Sequence, residues 1–222
     1  MERIVEHPHQ EPPPAQNNVL EYGWRDATPP PSMEFIVPAV LRLLQEIRVK
    51  RVLDLGSGNG ALSAVLQKSG YDVVGVEYDK KGFELSARLY PTIRFYNLGV
   101  HNDPKELREL EGEFDAVIST EVIEHLYSPH LLPQFARGVL ASGAHLVLST
   151  PYHGYLKNLA LSLLNRWDNH LTPLWHGGHI KFWSRRTLST LLCENDFDVV
   201  RFVGAGRISY LWKSMILVAR KR

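Results

Sequence analysis

Asp54, Gly56, Gly58 and Gly60 stand at every second position, and residues of these types in this pattern could bind a ligand. An apolar run at 51–55 predicts a buried strand before them, and helical spacing of apolar residues predicts a helix after them. Glycines at such a junction permit positive φ and close approach of a ligand to the backbone. The helix N-terminus adds free N–H groups. The stretch therefore predicts a ligand-binding turn.

Asp54 distinguishes between two ligands for this turn. The spacing Gly56-x-Gly58-x-x-Ala61 also fits a dinucleotide fingerprint, in which the pyrophosphate lies on the helix N-terminus. A carboxylate at the strand end would repel a phosphate and attract an ammonium group. S-adenosylmethionine (SAM) carries an amine and a sulfonium and no phosphate, so we expect SAM. A nicotinamide cofactor, or a turn without any ligand, is the alternative.

Glu77 ends a second apolar run, at 72–77, and follows Gly56 by 21 residues. Nucleoside-binding α/β proteins place a carboxylate at about this spacing on the ribose. Its two oxygens can accept from two vicinal hydroxyls. We therefore predict that Glu77 binds the ribose of the cofactor, the alternative being a solvated acid at a strand end.

A second group of chemically able residues follows the predicted fourth strand. Glu121, Glu124 and His125 are spaced i, i+3, i+4, so that one helical turn would project all three to the same side. A divalent cation held there would lower the pKa of an acceptor hydroxyl, and without a metal a histidine could act as general base. The alternative is structural, because acids in a first helical turn stabilise the helix dipole.

Both groups resemble known motifs. The pattern Asp54-x-Gly56-x-Gly58-x-Gly60 resembles motif I of the class I SAM-dependent methyltransferases. The turn Glu-x-x-Glu-His resembles that of ubiquinone-pathway O-methyltransferases and of small-RNA 2′-O-methyltransferases, where a downstream histidine helps to hold Mg²⁺. The run His-x-Lys-Phe-x-Trp that begins at His179 resembles that histidine region.

The resemblance implies a role for each matching position. It implies that a divalent metal (Mg²⁺, Mn²⁺ or Zn²⁺) is held by Glu121, Glu124, His125 and His179. Without a metal, His125 or His179 would be catalytic as a general base. The resemblance also implies that SAM is contacted by Asp54, Gly56, Ser57, Gly58, Gly60, Glu77, Tyr78, Gly99, Val100, Thr120 and Glu121.

The elements that must position these residues alternate along the chain. Strands are predicted at 51–55, 72–77, 93–97, 113–119, 144–150, 198–203 and 213–220, and helices at 32–48, 61–67, 80–89, 131–140 and 187–194. Strand–helix–strand repeats predict an α/β fold, with a parallel, doubly wound sheet and helices on both faces. The resemblance to class I methyltransferases adds that the sheet is Rossmann-like and seven-stranded, with its last strand antiparallel.

Residues 151–183 interrupt this alternation and are too long for an ordinary connection. The segment begins at the carboxyl end of the fifth strand, where ligands of parallel sheets bind. It should therefore be a lid over the acceptor, with Tyr152, Trp167 and Trp175 as flat pocket walls. An apolar stripe along 156–164 should pack this lid on the core, or else contact a membrane or a lipid-tailed substrate.

Bulk properties set limits on the function. The chain of 222 residues has a formal net charge of +1, which gives no strong bias toward nucleic acid. Cys193 is the single cysteine, so no internal disulfide can form, which fits a reducing, cytoplasmic setting. The proline-bearing leader, 1–31, lacks the apolar core of a signal peptide and should be disordered or a docking segment.

The sequence thus predicts a SAM-dependent methyltransferase domain at 32–222. Its acceptor should be the hydroxyl oxygen of a small, aromatic molecule such as a phenol or quinol. An Asn/Asp-Pro-Pro-aromatic motif, typical of many amino-methylating relatives, does not follow the fourth strand. Methylation of an RNA end and a non-enzymatic SAM-binding subunit are the alternatives. An RNA substrate is disfavoured because the sequence has no basic stripe. A non-enzymatic subunit is disfavoured because binding SAM alone needs neither His125 nor His179.

Overall fold

The computed structural model describes residues 23–171, 173–174 and 178–222. Its centre is one seven-stranded sheet in the order β3-β2-β1-β4-β5-β7-β6. The strands are β1 (Arg51–Leu55), β2 (Asp72–Val76), β3 (Arg94–Tyr96), β4 (Phe114–Thr120), β5 (Leu140–Pro151), β6 (Phe197–Ala205) and β7 (Ser214–Lys221). The helices are α1 (Met33–Glu46), α2 (Ala61–Lys68), α3 (Lys80–Leu89), α4 (Pro104–Glu111), α5 (Leu131–Val139), α6 (Tyr155–Leu163), α7 (Trp167–Leu171) and α8 (Arg185–Glu194).

The direction of the strands confirms the predicted fold class. Strands β1 to β5 pair in parallel, and β7 runs antiparallel between β5 and β6. Parallel strands buried on both faces require continuous apolar runs, and the inner residues of β1 and β4 are indeed buried. The order of the sheet brings the carboxyl ends of β1, β2 and β4 to one edge, where the predicted site residues stand.

Two apolar layers cover the sheet. On one face α1 and α2 contribute Ile36, Val40, Leu44, Leu62 and Leu66 to the core. On the other face α5 and α8 contribute Leu132, Phe135, Val139, Leu188 and Leu192. Burial of these side chains holds both helical layers against a rigid sheet, so that the loops at its edge have fixed anchors.

Two observed elements differ from the predicted ones, a helix that was missed and a strand that begins earlier. The sequence analysis missed α4, which buries only Leu107 of its eight residues and so carries little periodicity. Its start is nevertheless written in the sequence, because Asp103 caps the backbone N–H of Lys105 and Pro104 occupies the first turn. Strand β5 begins at Leu140 rather than at 144.

The apolar stripe of helix α6 does not pack on the core, as one of the two predictions for it expected. None of its residues is buried, and Leu156, Leu159 and Leu163 are exposed. Among the described residues, no helix combines the length and hydropathy that crossing a bilayer requires.

Candidate active site

The glycine loop between β1 and α2 is crowded by the protein's own side chains. Gly56, Gly58 and Gly60 have φ of +84°, +56° and +79°. A Cβ on Gly58 would lie 2.3 Å from Cζ2 of Trp24, and one on Gly56 would lie 2.5 Å from Cγ2 of Val122. The loop therefore needs glycine for positive φ and for protein packing, whereas the sequence suggested room for a ligand.

The end of the leader forms part of this loop's surroundings. The Asn59 side-chain amide donates to the carbonyl oxygens of Asp26 and Thr28, both at 3.0 Å. Asn59 is buried, so these bonds tie residues 24–28 to the loop. Whether the leader as a whole, 1–31, is disordered or a docking segment stays a prediction. Residues 1–22 lie outside the described part of the chain.

Asp54 is buried at the end of β1 and is only partly satisfied. Its Oδ2 accepts a 2.6 Å hydrogen bond from the Ser63 hydroxyl, whereas Oδ1 has no hydrogen-bond partner among the described residues. Burial raises the pKa of Asp54 to about 6, against the lowering effect of Ser63. A buried carboxylate oxygen without a donor fits a cationic ligand such as the SAM amine.

Glu77 stands at the end of β2, next to the same loop. Its Oε2 accepts from the backbone N–H of Gly58 at 2.7 Å and its Oε1 from that of Asp79 at 2.8 Å. Burial nevertheless raises the pKa of Glu77 to about 7, with smaller raising contributions from the charges of Asp79 and Asp54. Each oxygen keeps a second lone pair, which suits the two hydroxyls of a ribose.

The other predicted cofactor positions lie along the same sheet edge. Tyr78 is exposed and meets the ring of His101 edge-to-face at 4.7 Å between centroids. The backbone N–H of Gly99 donates to the Asn102 side chain at 2.8 Å. The remaining positions are Ser57, whose hydroxyl is buried without a partner among the described residues, the partly buried Val100, and Thr120 at the end of β4.

Replacing Asp54 with asparagine should stabilise the cofactor-free protein and at the same time weaken its binding of SAM. Because the folded pKa of Asp54 (about 6) exceeds the usual value of 3.8, the wild-type apo protein should lose stability as pH rises from about 4 to 6. The asparagine variant should lack that loss, so its advantage in thermal melts should grow with pH and level off above 6. Calorimetry should show its SAM affinity at least about tenfold weaker. A melting difference independent of pH would refute the assignment.

The second predicted group is built on a 3-10 turn, Ile123–His125, after β4. Ligand atoms of Glu124, His125 and His179 lie within 4.8 Å of one another. The backbone N–H groups of Ile180 and Lys181 both donate to the Glu124 carbonyl oxygen at 3.0 Å. These two bonds tie the predicted lid, 151–183, to the turn and bring His179 beside the other two side chains.

Hydrogen bonds orient two members of this group. The Thr150 hydroxyl donates to Glu124 Oε2 at 3.0 Å. Nδ1 of His125 lies 3.2 Å from the carbonyl oxygen of Gly178, which can only accept, so Nδ1 carries the proton. In the neutral form of the ring Nε2 would carry no proton, and this atom lies 3.9 Å from Glu124 Oε1.

Burial changes the ionisation of two members of the group. Burial, followed by repulsion from Glu121, raises the pKa of Glu124 well above its usual value. Burial lowers the pKa of His179 to about 4, so that its ring is neutral near pH 7. Within the described ranges, Glu124 Oε1 and His179 Nδ1 are buried without hydrogen-bond partners. The neutral imidazole fits a divalent metal ion, and a bound cation would favour the ionised form of Glu124, which its burial disfavours.

Glu121 is not one of the residues whose ligand atoms converge, although its charge acts on Glu124. Its backbone has φ of +54°, which breaks the continuous turn that the i, i+3, i+4 spacing assumed. The carboxylate instead accepts from the hydroxyls of Ser149 at 2.9 Å and Ser214 at 3.2 Å. The structure thus brings together three of the four predicted ligands.

The lid extends the group with two histidines that the sequence analysis did not single out. The ring of His170 lies 6.2 Å from that of His179 and 5.0 Å from that of His153, between centroids. Burial lowers the pKa of His170 to about 4. The sequence could have indicated these two residues, because histidines recur in this short aromatic segment. It does not show which of the rings lie close together.

Two of the three residues predicted to line the acceptor pocket, Tyr152 and Trp167, contact different parts of the protein. Tyr152 meets Trp212 edge-to-face at 5.1 Å between ring centroids. The indole N–H of Trp167 donates to the Ser162 hydroxyl at 3.0 Å, and its ring lies 6.2 Å from that of His170. Trp175 lies outside the described residues, so its role stays a prediction.

Comparison with known proteins identifies the family. A family model described as a methyltransferase domain matches residues 31–201. The chain belongs to this methyltransferase domain family. The match covers the glycine loop, Glu77, the 3-10 turn and the lid, which are the features from which the sequence analysis predicted such an enzyme.

Curated relatives and solved structures agree with this family. A ubiquinone biosynthesis O-methyltransferase of Roseobacter denitrificans is 29% identical over 170 residues, 73% of this chain and 66% of the relative. One of Bordetella avium is 29% identical over 60% of this chain and 58% of the relative. The chain thus spans somewhat less than two thirds of these relatives.

A solved structure supports the fold. The magnesium protoporphyrin IX methyltransferase of Synechocystis, solved with S-adenosylhomocysteine (SAH), superposes with a TM-score of 0.62 at 19% identity, covering 84% of this chain and 82% of that one. The prediction of a class I SAM-dependent methyltransferase is confirmed at the level of family and fold.

Proposed function

We propose that the protein transfers the methyl group of SAM to a hydroxyl oxygen of a small aromatic acceptor, such as a phenol or a quinol. The observation that carries this proposal is the group of Glu124, His125 and His179, whose ligand atoms lie within 4.8 Å of one another. Binding SAM requires none of these three residues, whereas a hydroxyl acceptor must lose a proton. Relatives named ubiquinone biosynthesis O-methyltransferase support oxygen as the acceptor atom.

The group is close to where the methyl donor would bind. Val122, the neighbour of Glu121, packs against Gly56 of the glycine loop, and the Ser119 hydroxyl donates to the Leu55 carbonyl oxygen at 2.7 Å. The turn after β4 and the loop after β1 are therefore in direct contact. A ligand held by Asp54 and Glu77 would lie beside the turn.

Different residues would bind the methyl donor and remove the proton of the acceptor. SAM supplies a methyl group that its sulfonium charge already activates, so the protein mainly aligns the reactants. Asp54 would hold the amine and Glu77 the ribose. Nε2 of His125, or the neutral ring of His179, would take the hydroxyl proton as the oxygen–carbon bond forms and the carbon–sulfur bond breaks.

We also propose that Glu124, His125 and His179 hold a divalent cation, Mg²⁺, Mn²⁺ or Zn²⁺. When bound, such an ion lowers the pKa of an acceptor hydroxyl and fixes its oxygen. The carbonyl of Gly178 and the hydroxyl of Thr150 already orient His125 and Glu124, as outer partners of metal ligands usually do. Glu121 is left out of this ligand set because its carboxylate binds two serines.

Incubation with methyl-labelled SAM and a matched panel of acceptors tests the proposal. The panel holds catechols, quinols, their already methylated counterparts and short RNAs. Label should appear in the catechols or quinols and be absent from the counterparts without a free hydroxyl. Label in RNA alone would overturn the small-acceptor assignment, and SAM binding without transfer to any acceptor would favour a non-enzymatic subunit.

A further inference from the structure

The ring of Trp24, in the leader, packs against two glycines that belong to different elements. A Cβ on Gly58 would lie 2.3 Å from Cζ2 and 2.7 Å from Cη2 of the indole. A Cβ on Gly82 would lie 2.8 Å from its Cδ1 and 3.2 Å from its Nε1. The six-membered ring therefore lies on the glycine loop and the five-membered ring on α3, so that the indole bridges the two elements.

Gly82 is explained by this contact and not by its backbone. It lies in the first turn of α3 and is not among the residues with positive φ. Glycine inside a helix is destabilising relative to alanine. The N–H of Gly82 donates to the side chain of Asp79 at 2.7 Å, but any residue other than proline would supply that N–H. The missing Cβ of Gly82 therefore serves the close approach of Trp24.

The indole also lies beside Glu77, the carboxylate expected to bind the ribose. The Cβ position of Gly82 is 3.1 Å from Cγ of Glu77 and 2.8 Å from Cδ1 of Trp24, so the acid and the ring flank the same point. Oε2 of Glu77 accepts from the N–H of Gly58, which lies under the other end of the ring. The ring thereby limits the movement of both partners of this bond, and the bond fixes which lone pairs of Glu77 are left for a ligand.

Hydrogen bonds hold residues 24–28, which we call the strap, in this position. The side-chain amide of Asn59 donates to the carbonyl oxygens of Asp26 and Thr28, both at 3.0 Å. The N–H of Thr28 donates to Oδ1 of Asp26 at 2.8 Å, which closes a turn within the strap. Oδ1 of Asn59 accepts from the N–H of Ala61 at 3.3 Å, so one side chain joins the strap to the start of α2. Trp24 is thus placed by a segment that has its own anchor.

We propose that Trp24 is a positioning residue of the cofactor site, which holds Glu77 and Gly58 in the geometry that binds both ribose hydroxyls. This proposal rests on the proposed function for the cofactor, SAM, and for the role of Glu77. Without the ring, the Glu77 side chain and the loop are free to shift, and the ligand loses hydrogen bonds to its ribose in particular. The expected signature is a loss of discrimination between ribose and deoxyribose, which a general weakening of the fold would not produce.

Calorimetry with SAH and its 2′-deoxy analogue tests this. The wild type should bind SAH at least about tenfold more tightly than the analogue, because the analogue lacks one hydrogen bond to a carboxylate. Trp24→Ala should bind SAH about tenfold more weakly and discriminate severalfold less between the two ligands. Trp24→Phe keeps a ring on Gly58 and should recover most of the discrimination. Asn59→Asp keeps the acceptor for Ala61 but removes the amide donor, so it should behave like Trp24→Ala.

Tyr210→Ala is the matched control, since Tyr210 is an aromatic residue, 61% exposed, on the connection between β6 and β7. It should bind both ligands like the wild type. Trp24→Ala with equal loss for both ligands would overturn the proposal, because the ring would then serve only the fold. Tighter binding of SAH by Trp24→Ala would also overturn it and would show that the strap competes with the cofactor.

Two results with the wild type alone separate this proposal from the proposed function. A wild type that binds SAH and its 2′-deoxy analogue equally would refute the ribose role of Glu77, and with it the role of Trp24, while SAM stays the cofactor. A wild type that binds neither ligand would refute SAM as the cofactor and therefore both proposals.

Discussion

Replacing His179 with alanine is expected to lower methyl transfer at least about 100-fold while leaving SAM affinity within about twofold. The reason is geometric, since His179 belongs to the group with Glu124 and His125 and not to the surroundings of Asp54 and Glu77. Its neutral ring can serve as a metal ligand or as a base. Single-turnover transfer to a catechol or quinol, together with SAM calorimetry, measures both quantities.

His130→Ala is the matched control for this variant, because His130 is exposed at the start of α5. It should retain wild-type transfer. Treatment of the wild type with EDTA should reproduce the loss caused by His179→Ala, and added Mg²⁺, Mn²⁺ or Zn²⁺ should restore activity to the wild type only. Activity that survives the chelator but is lost in His125→Ala would leave a histidine base and remove the metal. Full activity in His179→Ala would refute both roles.

The sheet was predictable because its strands carry their own signals. Strands β1 and β4 are short apolar runs, and their observed ends, Arg51–Leu55 and Phe114–Thr120, agree with the predicted bounds to within one residue. The position of Glu77 directly after β2 was predictable for a related reason, since its spacing from the glycine loop follows from the length of one helix and one strand. Its ribose-binding role stays a prediction. In each case the determining interactions lie within one strand–helix–strand unit.

The orientation of α6 was not predictable from periodicity. A stripe of leucines shows that a helix is amphipathic, but not which side the protein covers. Here the deciding contact is the bond from Lys157 to Lys213, which lies 56 residues away in the sequence. The same limit applies to Glu121, whose positive φ accompanies bonds to Ser149 and Ser214 on two other strands.

The glycine loop shows that the reason for a glycine can differ from the one that the sequence suggests. The sequence suggested that Gly58 lacks a side chain so that a ligand can approach. In the structure the space is taken by Trp24, a leader residue 34 positions earlier that no local pattern connects to the loop. The variant Gly58→Ala should therefore act through the leader as well as through the cofactor.

Gly58→Ala should weaken SAM binding at least about tenfold and lower the free energy of unfolding by about 2–5 kcal/mol. Two effects contribute. A Cβ at φ of +56° is strained, and it would lie 2.3 Å from Trp24. The loop must then shift, which moves the N–H of Gly58 away from Glu77 Oε2, its present partner at 2.7 Å. Thermal melts and SAM calorimetry measure the two losses.

Gly70→Ala separates these effects, because Gly70 has φ of +93° and nothing lies within 4 Å of its Cβ position. It should cost only the backbone strain, about 1–2 kcal/mol, and should leave SAM affinity unchanged. The larger loss at Gly58 then measures the crowding by Trp24, and Trp24→Ala in the Gly58→Ala background should recover part of it. Equal losses of stability at both glycines, with SAM affinity unchanged, would mean that neither Trp24 nor Glu77 depends on the missing Cβ of Gly58.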